Sequence, residues 1–173
     1  MLKDGDKNRG ALEAVAKAAN WGSPTPAGVF RGIAMSDGFG SFTAMVAEVS
    51  VSTKGEIKVH RVFYAIDSGY VVNPSACRAQ AEGNVIFNIG QLYQVNHVKD
   101  GRIVESNFHD FPLPGMKEMP RVETVFASTG GFWGGHGEPG ALCVAPAIMN
   151  AVFAATGKRI RSLPVDPKEL AKA

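Results

Sequence analysis

Apolar residues fall at helical spacing first between Gly10 and Asn20, an alanine-rich stretch with Leu12, Val15, Ala16 and Ala19 on one face. Asn20-Trp21-Gly22 stops that helix, and Ser23-Pro24-Thr25-Pro26 reads as a turn or extended link. Gly32 to Ser41 is small and glycine-containing. The period then changes to two: Ala47, Val49 and Val51 alternate with Glu48, Ser50 and Ser52, which predicts a half-buried strand. A tight turn at Thr53-Lys54-Gly55-Glu56 leads into Ile57–Ile66, rich in β-branched and aromatic residues, so the pair reads as a hairpin.

Asp67-Ser68-Gly69 ends the second strand, and Asn73-Pro74 supplies an N-cap followed by a first-turn proline. Cys77, Ala81, Val85, Ile89 and Leu92 continue at steps of four or three, predicting an amphipathic helix of about five turns. Gly83 inside it costs roughly 1 kcal/mol against alanine and hints at a close contact. His97–Asn107 reads as a short hairpin around Lys99-Asp100-Gly101, Pro112–Pro120 as irregular, and Val122–Ser128 as a strand. Pro146 opens a final helix with Ile148, Met149, Val152 and Phe153 on one face, capped by Gly157 and followed by Lys158 and Arg159. This order predicts an α+β fold: a mixed or antiparallel sheet with helices packed on one side. Residues 1–173 read as a single domain, with residues 1–9 flexible.

Composition narrows the function classes. The 173 residues are 45% hydrophobic and 20% charged, the balance of an ordinary globular chain. No apolar run approaches the ~18 residues of a membrane-spanning helix. The net charge of +2 is too even for a nucleic-acid footprint. Cys77 and Cys143 make neither a disulfide framework nor a four-cysteine zinc site, and each reads as a small buried apolar residue. The polar start and the plain end show no targeting motif, so the chain reads as cytoplasmic.

The 20 glycines are in excess, and six of them fall in the eleven residues from Gly130 to Gly140. That segment cannot be a regular element, because each glycine adds backbone entropy to be lost. Its Gly135-His136-Gly137-Glu138-Pro139-Gly140 matches G-x-G-x-x-G in letters only, with a proline inside and no helix directly after. His136-x-Glu138 likewise starts a zinc-deaminase pattern whose P-C-x-x-C is missing. Two readings of Glu138 stay open: a surface turn residue capping the next helix, or a carboxylate base placed by a backbone that lets a ligand come close. Gln80 and Glu82 fit a solvated helix face, Asp67-Ser68-Gly69 a turn, His60 an exposed strand position, and Trp21 and Trp133 packing anchors.

Seven segments, in order, resemble one family. They are Arg31-Gly32-Ile33-Ala34 with Ala47-Glu48-Val49-Ser50-Val51, Ile66-Asp67-Ser68-Gly69 with Val72-Asn73-Pro74, and Ala79-Gln80-Ala81-Glu82-Gly83. Ser106–Phe111, Gly135–Gly140, Ala145–Ala151 and Gly157–Pro164 complete them. Together they resemble the C-terminal portion of the molybdenum-binding subunit of the xanthine dehydrogenase/aldehyde oxidase family, isoquinoline 1-oxidoreductase β-subunit type. The resemblance implies part of a molybdopterin-binding domain, with the cofactor usually in its cytosine dinucleotide form. It implies hydroxylation of aldehydes or N-heterocycles with water as oxygen source, and electron exit through an iron–sulfur partner subunit. On the family's motifs the general base maps to Glu138, a glutamine near the pterin to Gln80, and pocket-shaping backbone to Gly137 and Gly140. No protein ligand to the metal is implied. The chain departs from the pattern at Asn84, Asn88, Gly115 and His136.

The expectation is therefore a C-terminal piece of a molybdenum hydroxylase, inactive alone and completed by the rest of its subunit. Partial burial in a dry loop is expected to raise the affinity of Glu138 for its proton. A non-catalytic remnant that self-associates through the Val85/Ile89/Leu92 face, or a small-molecule binder without redox chemistry, are the competing expectations. The location of a whole enzyme is left open between cytoplasm and periplasm.

Overall fold

The computed structural model describes residues 6–171. Of the nine residues read as flexible, 1–5 lie outside the described residues. Lys7–Arg9 lie in the first turn of helix α1 (Lys7–Ala18), capped by the Asp6 carboxylate on the Asn8 amide at 2.9 Å. Strands β1 (Phe30–Gly38), β2 (Ser41–Val51) and β3 (Ile57–Asp67) follow as an antiparallel meander. Helix α2 (Pro74–Gln91) starts at the expected cap, with the Asn73 side chain accepting from the Ala76 amide. A two-residue hairpin, β4 (Val98–Lys99) and β5 (Arg102–Ile103), sits at the expected turn. Strand β6 (Arg121–Phe126) then returns parallel to β3, giving a mixed sheet of order β1-β2-β3-β6. Helix α3 (Ala141–Thr156) and the short α4 (Pro167–Leu170) end the described chain.

The α+β class and mixed sheet hold, but the helices do not lie on one side. Strands β2 and β3 are apolar on both faces over much of their length. Ala44, Val46, Phe63 and Ala65 point to one face and meet Ala11 and Val15 of α1 and Ala19 at its C-cap. Met45, Ala47, Val49, Val62, Tyr64 and Ile66 point to the other and meet α2 and α3. Successive strand side chains alternate in direction, so a run that is apolar at both parities must be covered twice. The polar–apolar alternation over Ala47–Ser52 is not matched by burial: Glu48 is buried along with Val49, and Ser50 and Val51 are both half-buried.

Three local expectations also change. Helix α3 begins five residues before Pro146, which lies inside it and removes one donor to the preceding turn. A Cβ at Gly83 would meet nothing within 4 Å, so no close contact within this chain requires a glycine there. Val85, Ile89 and Leu92 are buried against α3, Val165 and Leu170, which leaves that face unavailable for self-association. Gly157 closes α3 in the left-handed conformation (φ 71°), as expected of a C-terminal glycine. No helix among the described residues is long and apolar enough to cross a membrane.

Candidate active site

The glycine-rich segment is a strap stretched over the C-terminal end of β3. Its first half is held by Gly69, whose carbonyl accepts from the Gly130 amide at 3.0 Å. Its second half is held by Ser68, whose carbonyl accepts from Gly134 at 2.9 Å and whose hydroxyl sits 2.6 Å from His136 Nε2. The β1–β2 turn completes the seat: the Gly135 amide donates to the Phe39 carbonyl at 2.9 Å, and Ser41 Oγ donates to the Gly135 carbonyl at 2.6 Å. Gly134 has no room for a side chain, since a Cβ would run into the Ser41 hydroxyl and the Gly40 backbone. Gly134 is thus set by close backbone approach, whereas Gly130 and Gly131 adopt left-handed φ values of 77° and 85° that favour glycine.

Beyond the strap, the backbone on both sides of Glu138 is fixed. Asn84 Nδ2 on α2 donates to the Gly137 carbonyl at 2.8 Å, and Asn88 Nδ2 in turn donates to the Asn84 carbonyl at 2.9 Å. Thr43 Oγ1 on β2 donates to the Pro139 carbonyl at 3.2 Å, while the Glu138 carbonyl accepts from Ala141 at 2.9 Å. Gly140 is buried against Tyr64: a Cβ there would stand 2.6 Å from Tyr64 Cε2 and 3.0 Å from Asn84 Nδ2. At Gly137, by contrast, a Cβ would meet nothing within 4 Å, so one side of the segment is open.

The Glu138 side chain is exposed, so this chain alone does not supply the burial expected for it. Nor does it cap α3, whose N-cap Gly140 has no side-chain cap bond. Gln80 is exposed one helical turn before Asn84, on the side of α2 that reaches the segment. The structure therefore brings α2, the Gly137 backbone and Glu138 to one edge.

Some groups prove more important than they read. Asp67 is fully buried, and its carboxylate accepts from Thr129 Oγ1 at 2.6 Å and from the Gly69 amide at 2.9 Å. Burial pushes its proton affinity up, but the bonds from Thr129 and Gly69 and the nearby Lys7 ammonium outweigh it, holding the carboxyl below the usual aspartate range. Burial lowers the proton affinity of His136, which favours the neutral ring beside Ser68. The bonds from Asn84 and Thr43 span 53 and 96 residues of sequence, so no local spacing could announce them.

Trp21 and Trp133, expected to be anchors, are both exposed. Trp133 packs on Tyr70 with ring centroids 5.5 Å apart, and Phe39 and Phe132 stand out beside them at 66% and 82% exposure. Both cysteines are buried as expected. His60 is half-buried and bonded to Ser50 Oγ at 2.7 Å. No cluster of three or more His, Cys, Asp or Glu suited to a metal ion occurs among the described residues.

The molybdopterin cofactor-binding domain family matches residues 6–120. The chain is 30% identical over 171 residues to isoquinoline 1-oxidoreductase subunit beta of Brevundimonas diminuta, covering 96% of this chain and 22% of that protein. It is 34% identical over 140 residues to a probable xanthine dehydrogenase subunit of Bacillus subtilis, covering 77% and 19%. Among solved structures it resembles the aldehyde oxidoreductase of Desulfovibrio gigas, with a TM-score of 0.65 and 26% identity over 77% of this chain and 16% of that one. The chain spans about a fifth of the length of the curated relatives it matches. The family match stops before the glycine-rich strap, whereas the alignment to the Brevundimonas protein is long enough to run through it.

Proposed function

This chain belongs to the molybdopterin cofactor-binding domain family, and on that premise we propose that it is the part of a molybdenum hydroxylase subunit that contributes Glu138 as general base. The carrying observation is a free carboxylate on a fixed backbone. The peptide carbonyls flanking Glu138 are tied to α2 and β2, while its side chain is exposed. A base needs that combination, because a proton acceptor works only when held in reach of its proton.

The residues present fit the proposed group. The open side at Gly137 lets a bulky ligand approach the backbone, and the Gln80 amide offers both a donor and an acceptor one turn from Asn84. Gly140 shapes the pocket from behind, since it seats the segment on Tyr64. In this reading the metal is carried by the pterin itself. The bound group, here read as the cytosine dinucleotide form, would supply the redox chemistry that hydroxylates an aldehyde or N-heterocycle carbon. This chain's share is to take a proton at the Glu138 carboxylate and to hold that carboxylate in place. The remaining wall, which would also exclude water from Glu138, comes from the rest of the subunit. An iron–sulfur subunit receives the electrons, and the chain reads as cytoplasmic.

The exposed Phe132 and Trp133 of the strap, with Phe39 and Tyr70 beside it, support a surface made to be covered. The same patch favours a second reading, a non-catalytic chain that self-associates through these aromatics. Two measurements separate them. Metal analysis and aldehyde oxidation on the purified chain are expected to show neither stoichiometric molybdenum nor turnover; finding both would overturn the need for completion. Grafting residues 130–140 into the Brevundimonas subunit is expected to preserve turnover, and Glu138→Gln in the graft to abolish it with molybdenum content kept. Full turnover in that variant would sink the base assignment. Concentration-dependent dimers that vanish in Trp133→Ser would favour the second reading.

A further inference from the structure

We infer that Asp67 is a positioning residue for Glu138: with the half-buried Lys7 it forms a latch that fixes the glycine-rich strap on the end of β3. The inference deepens the proposed function and rests on it for the role of Glu138, but the latch itself stands on geometry alone. Asp67 has no exposed surface, and one carboxylate oxygen takes the Thr129 hydroxyl at 2.6 Å. The other takes the Gly69 amide at 2.9 Å and lies 3.5 Å from Lys7 Nζ. Lys7 also donates to the Gly130 carbonyl at 2.8 Å, so the ammonium ties the carboxylate to the strap directly.

Two features argue that this is more than a turn. A lysine in the first turn of a helix faces the positive end of its dipole, so Lys7 is ill placed for α1. Its position is explained by Asp67. Further, α1 covers the face of the sheet away from α2 and α3, yet its first residue reaches the strap. The latch thereby joins three separately packed pieces: α1, the end of β3 and the strap. Ser68, the next residue, holds the strap's far half through Gly134 and His136, and Glu138 lies two residues on. The titratable groups facing this junction are Lys7 from α1, His136 from the strap and Tyr70, whose hydroxyl lies by Gly130.

The test is amide hydrogen exchange by NMR on the purified chain, which needs no cofactor. Asp67→Asn keeps shape and removes charge. It should raise exchange at Thr129, Gly130 and Gly134 at least about tenfold, because bonds to a buried charge are among the strongest. Amides of Ala44–Ala47 should keep their protection, and the Glu138 backbone signals should shift while those of Gly157 stay. Lys7→Met should act in the same direction, and the double variant should fall short of the product of the two effects. The pH profile adds a reading that simple packing would not give. A carboxyl held below its usual range keeps the latch ionised as pH falls through that range, and the latch is lost only below it. Strap protection should follow that course in the natural chain, and this low-pH step should be missing in Asp67→Asn, which keeps only the change due to His136. Unchanged strap exchange in a folded Asp67→Asn, or the same pH profile in both proteins, would overturn the inference. Should Asp67→Asn fail to fold, Thr129→Val against Thr129→Ser decides: loss with valine and recovery with serine supports the latch, and equal behaviour refutes it. A chain that binds no molybdopterin would defeat the proposed function and leave these outcomes untouched.

Discussion

Gly137 and Gly140 read alike in the sequence, three residues apart in one strap, yet the structure separates them. At Gly140 the backbone φ of −67° suits any residue, so the cost of Gly140→Ala is steric alone. The new methyl would stand 2.6 Å from Tyr64 Cε2, 2.9 Å from its hydroxyl and 3.0 Å from Asn84 Nδ2. Tyr64 is fully buried between sheet and helices and cannot swing away. Overpacking of that kind costs about 1–3 kcal/mol. If Asn84 yields instead, its bond to Gly137 goes, at a further ~1 kcal/mol. The sum is roughly 2–4 kcal/mol, or a fall of roughly 4–16 °C in Tm for a chain of this size. Gly137→Ala places its methyl in open space and should stay within about 0.5 kcal/mol. Urea unfolding followed by circular dichroism measures both, and the m-value shows whether the native state itself has changed. Equal stability of the two variants would refute the reasoning, since it predicts a difference between them.

Gly32→Ala should cost still more, about 3 kcal/mol, because its methyl would run into the backbone of α3 at Ala147 and Ala151; a mild effect in the same urea assay would show that α3 can lift off. Gly83→Ala should stabilise the chain by roughly 1 kcal/mol, as nothing meets the added methyl and alanine is the better helix former. The natural chain should lose stability as pH drops below 6.5, the ordinary histidine value, because the unfolded ring takes up a proton that the partly buried native His136 resists. Thermal melts across that range should show the slope reduced in His136→Phe.

Much of the fold can be read along the chain because it is written locally. The Asn73-Pro74 start of α2, the Gly157 stop of α3 and the hairpin at Lys99-Asp100-Gly101 each rest on residues within one turn of each other. Strand β1 is not legible, since Gly32, Ala34, Ser36 and Gly38 are scattered through it and it shows no clean alternation. The second layer of helix escapes sequence reasoning for a related reason: a strand buried on both faces has no polar parity to read. At the candidate site, the excess of glycine draws attention to the strap and to Glu138. The groups that fix it, Asn84, Thr43 and Ser68, are ordinary polar residues whose meaning comes from partners far away in sequence. Asp67 reads as a turn former because turn residues and buried network residues share the same letters.

The parallel pairing of β3 with β6 sets the order in which this site can come together. Strands β1, β2 and β3 join through tight turns and close early, since short loops lose little entropy on closure. Strand β6 reaches β3 only across the whole of residues 68–120, a non-local pairing of the kind that slows folding. The strap follows β6 directly and takes its seat from Ser68, Phe39 and Asn84. Seating of Glu138 thus waits on that non-local pairing, and a substitution in α2 or the β4–β5 hairpin that slows it should delay the strap without touching Glu138.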